Sequence, residues 1–188
     1  MENISSCKSP MQMFGSVIKE FYKDDEKKIV NVAIMPCTAK KGEAARDEFK
    51  VNGEPVIDYV ITTQELIKMI REANIAFTEL LPEAVDLPFG INSGAGVIFG
   101  VTGGVTEAVL RYLMADQPAA NLHQIAFTGV RGLKGVKECT VDYNGIQVNI
   151  AIVNGLKNAD ELIEKIQSGE KQYHFVEVMA CPNGCVCG

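Results

Sequence analysis

Residues 28–46 of the chain read KIVNVAIMPCTAKKGEAAR, and residues 173–185 read YHFVEVMACPNGC. The run KIVNVAIM is rich in β-branched residues and predicts a buried strand, the run YHFVEVMA predicts the final strand, and each leads to a cysteine. In open α/β sheets, functional sites form at the carboxyl ends of the strands. The two stretches therefore predict an α/β fold in which Cys37 and Cys181 converge on one site if their strands are neighbours.

The rest of the chain alternates between helix-like and strand-like patterns. The predicted helices are residues 10–21, 62–74, 105–115 and 159–169, and the predicted strands are 28–35, 58–63, 122–130 and 173–180, with a hairpin at 140–153. Residues 77–96 hold two prolines and several glycines and are predicted to form a long loop. This order predicts a mixed α/β fold with largely parallel sheets and flanking helices. No clean linker marks a domain boundary, so residues 1–188 are interpreted as one piece.

Composition and charge exclude several classes of protein. Hydrophobic residues make up 47% of the 188 residues, and the formal net charge is −6. Lys and Arg are scattered rather than clustered, so no nucleic-acid partner is expected. No stretch reaches the roughly 18 apolar residues of a membrane helix, so no membrane partner is expected either. No secretion signal is visible in residues 1–14, which favours a cytoplasmic location and leaves a periplasmic one open.

The chain has six cysteines, three of them close together near residue 185. Thiolates at a strand end select zinc, copper or iron–sulfur clusters. Structural zinc sites favour paired Cys-x-x-Cys spacings, often with histidine, and neither feature is present in these motifs. We therefore interpret Cys37, Cys181 and Cys185 as ligands of a metal centre. Cys7 and Cys139 are interpreted as small buried apolar residues.

Lys40 and Glu43 follow Cys37 within one or two helical turns. Residues three or four apart share a face of a helix, so this helix start presents a thiolate, an ammonium and a carboxylate together. The pattern indicates either a surface ion pair or a contact to an anionic ligand. Farther along, the glycines of SGAGVIFGVTGG (residues 93–104) miss the spacing of a dinucleotide site. Close packing is the favoured interpretation of this run, and an anion contact before the next helix is the alternative.

Two of these motifs together resemble a known family. MPCTAKKGE (residues 35–43) and EVMACPNGC (residues 177–185) are similar to the second and third cluster-binding signatures of iron-only ([FeFe]) hydrogenases. The segments VITTQEL, SGAGVIFGVTGG and KQYHF resemble the same catalytic domain in the same order. The resemblance covers nearly the whole chain and implies a portion of the two-lobed hydrogenase catalytic domain.

The resemblance implies a specific cofactor. In this family a [4Fe–4S] cluster is bridged by a cysteine thiolate to a diiron centre, and this H-cluster reversibly interconverts dihydrogen with protons and electrons. Carried over by position, Cys37, Cys181 and Cys185 are implied to be metal ligands, with Cys185 as the bridge. Lys40 is implied to hydrogen-bond a cyanide of the diiron centre, and Glu43 to orient that corner.

The resemblance also implies an apolar lining, a proton path and partners. Met35, Pro36, Phe99 and Met179 match positions that line the cofactor, and Ser5 matches a serine of the family's proton relay. The resemblance implies that the parent protein is an iron-containing oxidoreductase that takes part in electron transfer in an anaerobic organism. Its implied partners are ferredoxin-like electron donors or acceptors and the maturation proteins that supply the diiron centre.

The chain departs from the family pattern at both ends. An earlier signature with two adjacent cysteines, one the fourth cluster ligand and one a proton donor, does not precede Asn3. The glycine-rich end of the third signature does not follow Gly188, and Cys187 matches no ligand position. We therefore expect a fragment truncated at both ends that is inactive and cofactor-free by itself.

Two alternatives stay open. A non-catalytic hydrogenase-like iron–sulfur protein uses the same fold for cluster assembly or sensing, and a zinc-binding structural module uses similar thiols. Lys40 and Glu43 favour the enzyme, because a simple cluster carrier has no cyanide to bind.

Overall fold

A computed structural model describes residues 4–91, 93–114 and 135–187. The chain divides into two compact units, Met1–Leu81 and Pro82–Gly188. Each unit has its own hydrophobic core and is described by itself. The interpretation of residues 1–188 as one piece of a catalytic domain stays a prediction. In the described ranges, no helix combines the length and the hydropathy that crossing a bilayer requires.

The first unit is built on a parallel pair of strands. Its elements are α1 (Pro10–Phe21), β1 (Val32–Met35), α2 (Ala39–Ala44), β2 (Lys50–Val51), β3 (Glu54–Pro55), β4 (Tyr59–Thr62) and α3 (Thr63–Glu72), with 3₁₀ turns at Asp47–Phe49 and Phe77–Glu79. Strand β1 pairs in parallel with β4, and β2 pairs antiparallel with β3. Met11, Val56 and Ile57 form the core, and Ala33, Met35, Ala44 and Val60 pack against it.

Strand β1 begins at Val32 rather than at the predicted residue 28, and Asn31 explains the difference. The Asn31 carbonyl accepts hydrogen bonds from the backbone N–H groups of Asp58 and Tyr59. Its buried side-chain amide donates to the carbonyl of Gly15 at 3.0 Å and to that of Val56 at 2.8 Å. Asn31 therefore hydrogen-bonds α1 and the segment before β4, and β1 begins at the residue after it.

The second unit is a three-stranded sheet between helices. Its elements are α4 (Gly94–Ile98), α5 (Gly104–Leu113), β5 (Val136–Tyr143), β6 (Ile146–Asn154), α6 (Leu156–Gln167) and β7 (Phe175–Met179), with a 3₁₀ turn at Cys185–Cys187. Strand β6 is central, antiparallel to β5 and parallel to β7. Its alternate side chains are buried on opposite faces. Ile150 and Ile152 pack with Leu110 of α5, whereas Ala151 and Val153 pack with Leu162 of α6.

The mixed α/β class predicted from the sequence is confirmed. Among the described strands, the β1–β4 and β6–β7 pairs are parallel, and the other two pairs are antiparallel. The predicted hairpin is also confirmed, with Asn144 and Gly145 at positive φ values of 54° and 81°, as a type I′ turn requires.

Three expectations had other outcomes. The loop predicted for residues 77–96 is partly wrong, because it contains a 3₁₀ turn and the start of α4, where Ser93 Oγ accepts the Gly96 N–H. The strand predicted for residues 122–130 lies outside the described residues. Among the described strands, β1 pairs with β4 and β7 pairs with β6, and no pairing of β1 with β7 is found there.

Helix α3 begins with the predicted capping box. Thr62 Oγ1 accepts the N–H of Glu65, and the Glu65 carboxylate accepts the N–H of Thr62 at 2.8 Å. Such reciprocal bonds satisfy donors that a helix start leaves unpaired. The Glu65 carboxylate also contacts Lys41 Nζ at 2.6 Å, which links the start of α3 to α2.

We expect Glu65→Gln to flatten the pH dependence of stability in acid. Hydrogen bonding to Lys41, followed by that to the Thr62 N–H, lowers the pKa of Glu65 from 4.5 to about 2. Because the folded-state pKa lies below the unfolded-state value, the stabilising contribution is complete above pH 4.5 and is lost as the pH falls toward 2. Urea denaturation across this pH window measures the difference in the free energy of unfolding.

Two lysine variants sharpen this test. Lys41→Met removes the first-named cause of the shift and should flatten the profile as Glu65→Gln does. Lys68→Met removes a lysine of α3 that pairs with Glu72 instead, and should keep the wild-type profile. A Glu65→Gln profile as steep as the wild-type profile contradicts the assignment.

Candidate functional site

The first cysteine motif lies where β1 ends and α2 begins. Met35 is the last residue of β1, and Pro36 and Cys37 follow it before α2 starts at Ala39. All three of these motif residues are half-buried, and the Cys37 thiol is free. The parallel strand thus delivers Cys37 at its carboxyl end, which is the position expected for a functional residue.

Lys40 and Glu43 form a half-buried ion pair one turn into α2. Lys40 Nζ lies 2.5 Å from Glu43 Oε2, and the two side chains are 24% and 18% exposed. The other carboxylate oxygen, Oε1, accepts a hydrogen bond from Ser9 Oγ. Ser9 is also the N-cap of α1, where its Oγ accepts the Gln12 N–H. The Glu43 carboxylate therefore joins the starts of two helices and orients Lys40.

Gln12 adds a buried polar group to the same region of the first unit. Its side chain is 1% exposed, and neither Nε2 nor Oε1 has a hydrogen-bond partner in the described part of the chain. Gln12 lies three residues after Ser9, so both project from one side of α1. Buried polar groups are nearly always hydrogen-bonded, so an unpaired amide here suits contact with a polar ligand.

The structure does not bring Ser5 to this ion pair. Ser5 is exposed, and its Oγ accepts the N–H of Cys7 at 3.1 Å. The interpretation of Cys7 as a buried residue is wrong, because its thiol is exposed and lies 3.6 Å from the Met13 sulfur. The segment before α1 lacks the helical or strand packing that would cover this side chain.

The second cysteine motif follows β7 through a tight turn. The N–H of Gly184 donates to the carbonyl of Cys181 at 3.1 Å, and Asn183 has a φ of 66°. Proline at the second turn position and a positive φ at the third are the features of a type II turn. The thiols of Cys181 and Cys185 are exposed, as is that of Cys187. Residues 181–187 are called the cysteine segment below.

The cysteine segment lies directly against residues 98–104, called the glycine segment below. The N–H of Thr102 donates to the carbonyl of Asn183, and the N–H of Val186 donates to that of Gly100, both at 3.1 Å. An added Cβ on Gly184 would lie 2.5 Å from the Gly100 oxygen. The predicted close packing of the glycine run is therefore confirmed, with the cysteine segment as its partner.

Phe99 and Met179 lie close to the contact between the glycine segment and the cysteine segment. Phe99 lies directly before Gly100 in the glycine segment, and Met179 ends β7, two residues before Cys181. Both side chains are half-buried. Phe99 thus lies on the segment that contacts the cysteine segment, and Met179 lies on the strand that leads into it.

Sequence reasoning missed two residues that organise these motifs. The pattern marks Ser9 only as a helix start and does not predict its contact with Glu43, which spans 34 residues. The pattern places Glu177 in the final strand but does not predict that it is buried, at 6% exposure, and bonded to the turn before α5. A charge inside the apolar run FVEVM was the available signal, because buried charges need dedicated partners.

The donor chemistry of the motifs fits an iron–sulfur centre. Its proposed ligands are thiols without histidine, which are the ligands that iron–sulfur clusters use. Within neither unit do the described residues place three His, Cys, Asp or Glu side chains together as a metal site. Cys139 is a poor ligand candidate, because it is half-buried in β5 and burial raises the pKa of its thiol. Its packing against the core around Ile150 confirms its interpretation as an apolar residue.

Comparison with known proteins agrees with these motifs. The profile of the family "Iron only hydrogenase large subunit, C-terminal domain" matches residues 1–188. The chain belongs to the iron-only hydrogenase family. It is 46% identical over 192 residues to iron hydrogenase 1 of Clostridium pasteurianum, covering 100% of this chain and 33% of that protein.

The fold agrees with the same family. A solved structure of [FeFe]-hydrogenase HydA1 from Chlamydomonas reinhardtii matches with a TM-score of 0.75 and 37% identity, over 98% of this chain and 55% of that chain. A more distant relative is cytosolic iron-sulfur assembly component 3 of Mus musculus, 33% identical over 98% of this chain and 41% of that protein. The chain thus spans about a third to about half of the relatives that it matches.

We expect Gly184→Ala to destabilise the second unit more than Gly145→Ala does. Both glycines have positive φ, 88° and 81°, so alanine is strained at both by about 1–2 kcal/mol. Only at Gly184 does the added Cβ also meet backbone atoms, whereas nothing lies within 4 Å at Gly145. That overlap should cost roughly a further 1–3 kcal/mol.

Urea denaturation of the two variants measures this difference directly. Gly145→Ala serves as the matched control, because it carries the backbone strain without the contact. Equal losses in the two variants contradict a close approach of the cysteine segment to the glycine segment.

Proposed function

We propose that this chain is the portion of an iron-only hydrogenase that supplies three thiolate ligands and the anion-binding lysine of the hydrogen-converting centre. The observation that carries the proposal is the half-buried Lys40–Glu43 pair, which Ser9 holds beside Cys37. An ion pair on the surface is worth little to stability, so a half-buried pair that a third residue holds in place, in the helix after Cys37, favours a binding role.

The proposed ligands are Cys37, Cys181 and Cys185, which would hold a [4Fe–4S] cluster, and Cys185 would also hold a diiron centre. When bound, that group supplies the chemistry that interconverts dihydrogen with two protons and two electrons. Cys37 and Cys181 each follow the end of a strand, β1 and β7, and these rigid strands set the positions of their backbones. Cys185 begins the 3₁₀ turn after the tight turn at Cys181.

Lys40 is suited to hold an anionic ligand. An ammonium has three N–H donors, and the Glu43 carboxylate uses one of them. The remaining donors are free to bind a cyanide, and partial burial strengthens such a contact relative to water. Glu43 balances the charge of Lys40, and Ser9 keeps the carboxylate from rotating away.

The remaining proposed residues shape the surroundings. Met35, Pro36, Phe99 and Met179 are half-buried apolar side chains that would exclude water from the centre and tune it. The Ser5 hydroxyl can accept a proton at Oγ while donating its own, which is the requirement for a step in a proton relay.

The 188 residues by themselves are proposed to be inactive and cofactor-free. Three thiolates do not complete the Cys₄ set of a [4Fe–4S] cluster. Ferredoxin-like electron donors or acceptors and maturation proteins for the diiron centre are the proposed partners of the parent protein. Its cytoplasmic location stays a prediction.

A second candidate function is cluster assembly or sensing without hydrogen chemistry. The 33% identity to the iron-sulfur assembly component of Mus musculus favours it, because that match covers nearly the same share of the chain. The two functions differ at Lys40, since a cluster carrier has no anionic diiron ligand for this residue to bind.

We expect Lys40→Ala in the protein that contains this segment to lower hydrogen evolution about 10- to 100-fold. Lys41→Ala is the matched control, because Lys41 is the adjacent residue and its ammonium instead contacts Glu65. Hydrogen evolution from a chemically reduced dye, with the iron content of each variant, is the measurement.

The outcomes separate the two candidates. Loss of hydrogen evolution in Lys40→Ala, with activity kept in Lys41→Ala, supports the hydrogenase proposal. A wild-type protein that binds iron and sulfide but evolves no hydrogen supports the assembly or sensing function. Robust hydrogen evolution by residues 1–188 alone, after loading with the cofactor, overturns the proposal that they are insufficient.

A further inference from the structure

Glu177 is the single charged residue of β7 and is almost fully buried. Its Oε1 accepts the N–H of Gly103 at 2.7 Å. Its Oε2 accepts the N–H and the hydroxyl of Thr106 at 2.7 and 2.6 Å. A buried charge is costly unless it is fully hydrogen-bonded, and these three bonds to an ionised acceptor are of the strong, charge-assisted kind.

These bonds close a ring of contacts around the cysteine segment. On one side, β7 continues covalently from Glu177 into the cysteine segment. On the other side, the two backbone bonds described above tie the cysteine segment to the glycine segment. The bond from Gly103 to Glu177 then ties the glycine segment back to β7. The cysteine segment is therefore joined to β7 in two ways, covalently and through the glycine segment.

We propose that Glu177 is a positioning residue for the ligand loop. It fixes the distance between β7 and the glycine segment, and thereby fixes the backbone that presents Cys181 and Cys185. The inference rests on the proposed function for the identity of the metal centre, whereas the restraint itself depends only on contacts within the second unit.

The chemistry of the contacts requires a carboxylate. Three donors point at the two oxygens of Glu177, and a carboxylate oxygen only accepts. A glutamine of the same shape would place an NH₂ group against at least one of these donors and leave a buried bond unmade. The start of the ten-residue helix α5 also favours a negative charge at this position.

Glu107 provides a matched control for a purely structural role. It is also fully buried and belongs to α5, but its carboxylate accepts a hydrogen bond from Arg111 of the same helix. Glu107→Gln therefore perturbs a buried carboxylate next to the same turn without cutting the bonds between β7 and the glycine segment.

Amide hydrogen exchange in the full 188-residue chain tests the proposal. The informative amides are those of Thr102 and Val186, which join the two segments and donate to backbone carbonyls rather than to Glu177. In Glu177→Gln, we expect both to exchange at least about tenfold faster than in the wild type, because charge-assisted bonds are lost. In Glu107→Gln, we expect their exchange to stay at the wild-type rate after correction for global stability.

A second variant keeps the test informative if Glu177→Gln does not fold. Thr106→Val removes only the hydroxyl donor and leaves both backbone donors on Glu177. It should accelerate exchange at the same two amides by a smaller factor. Acceleration confined to the first turn of α5, or equal acceleration in Glu107→Gln, overturns the proposal.

A spectroscopic measurement on the metal-loaded parent protein separates this inference from the proposed function. We expect Glu177→Gln to shift or broaden the electron paramagnetic resonance signal of the reduced cluster, and Glu177→Asp, which keeps the charge, to restore part of it. An unchanged signal contradicts positioning of the ligands. Zinc in place of iron overturns the proposed function, and the exchange result then still decides whether the restraint exists.

Discussion

The burial of both faces of β6 is the constraint on which the second unit depends. Ile150, Ala151, Ile152 and Val153 are each at most 1% exposed, because α5 covers one face and α6 covers the other. Burying such side chains stabilises a fold by roughly 1.5–3 kcal/mol for each large one. A strand anchored in this way gives β7 a fixed parallel partner, and the end of β7 carries the cysteine segment.

In each unit, buried or half-buried polar contacts fix the backbone near the candidate site. Asn31 sets the start of β1, the Glu43 carboxylate joins Ser9 to Lys40, and Glu177 joins β7 to the glycine segment. Each of these groups must be satisfied when buried, so each restricts the backbone more sharply than apolar packing does. Two of the three lie close in sequence to a proposed ligand: Glu43 follows Cys37, and Glu177 precedes Cys181.

The sequence predicted the parts of this arrangement that depend on local pattern. Alternating and β-branched runs predicted β5, β6 and β7, and the capping box predicted α3. The family resemblance depends on two short motifs around Cys37 and Cys181, which can be recognised from the sequence alone. The comparisons bear out that family, whereas the roles of the individual residues stay predictions.

The parts that sequence reasoning missed depend on contacts between distant segments. The pairing of Ser9 with Glu43 and that of Glu177 with Gly103 join residues 34 and 74 positions apart. Neither leaves a periodic signal, because a single polar residue in an apolar run is compatible with many partners. The pairing of β1 with β4 was also outside the reach of pattern, because it joins segments 27 residues apart in the chain.

The most direct measurement is the iron and sulfide content of cysteine variants of the parent protein purified without oxygen. The account predicts that Cys37→Ser, Cys181→Ser and Cys185→Ser each lose the [4Fe–4S] signal, while Cys139→Ser and Cys187→Ser keep it. Retention of a full cluster in any of the first three variants, or its loss in Cys187→Ser, would contradict the assignment of the ligands.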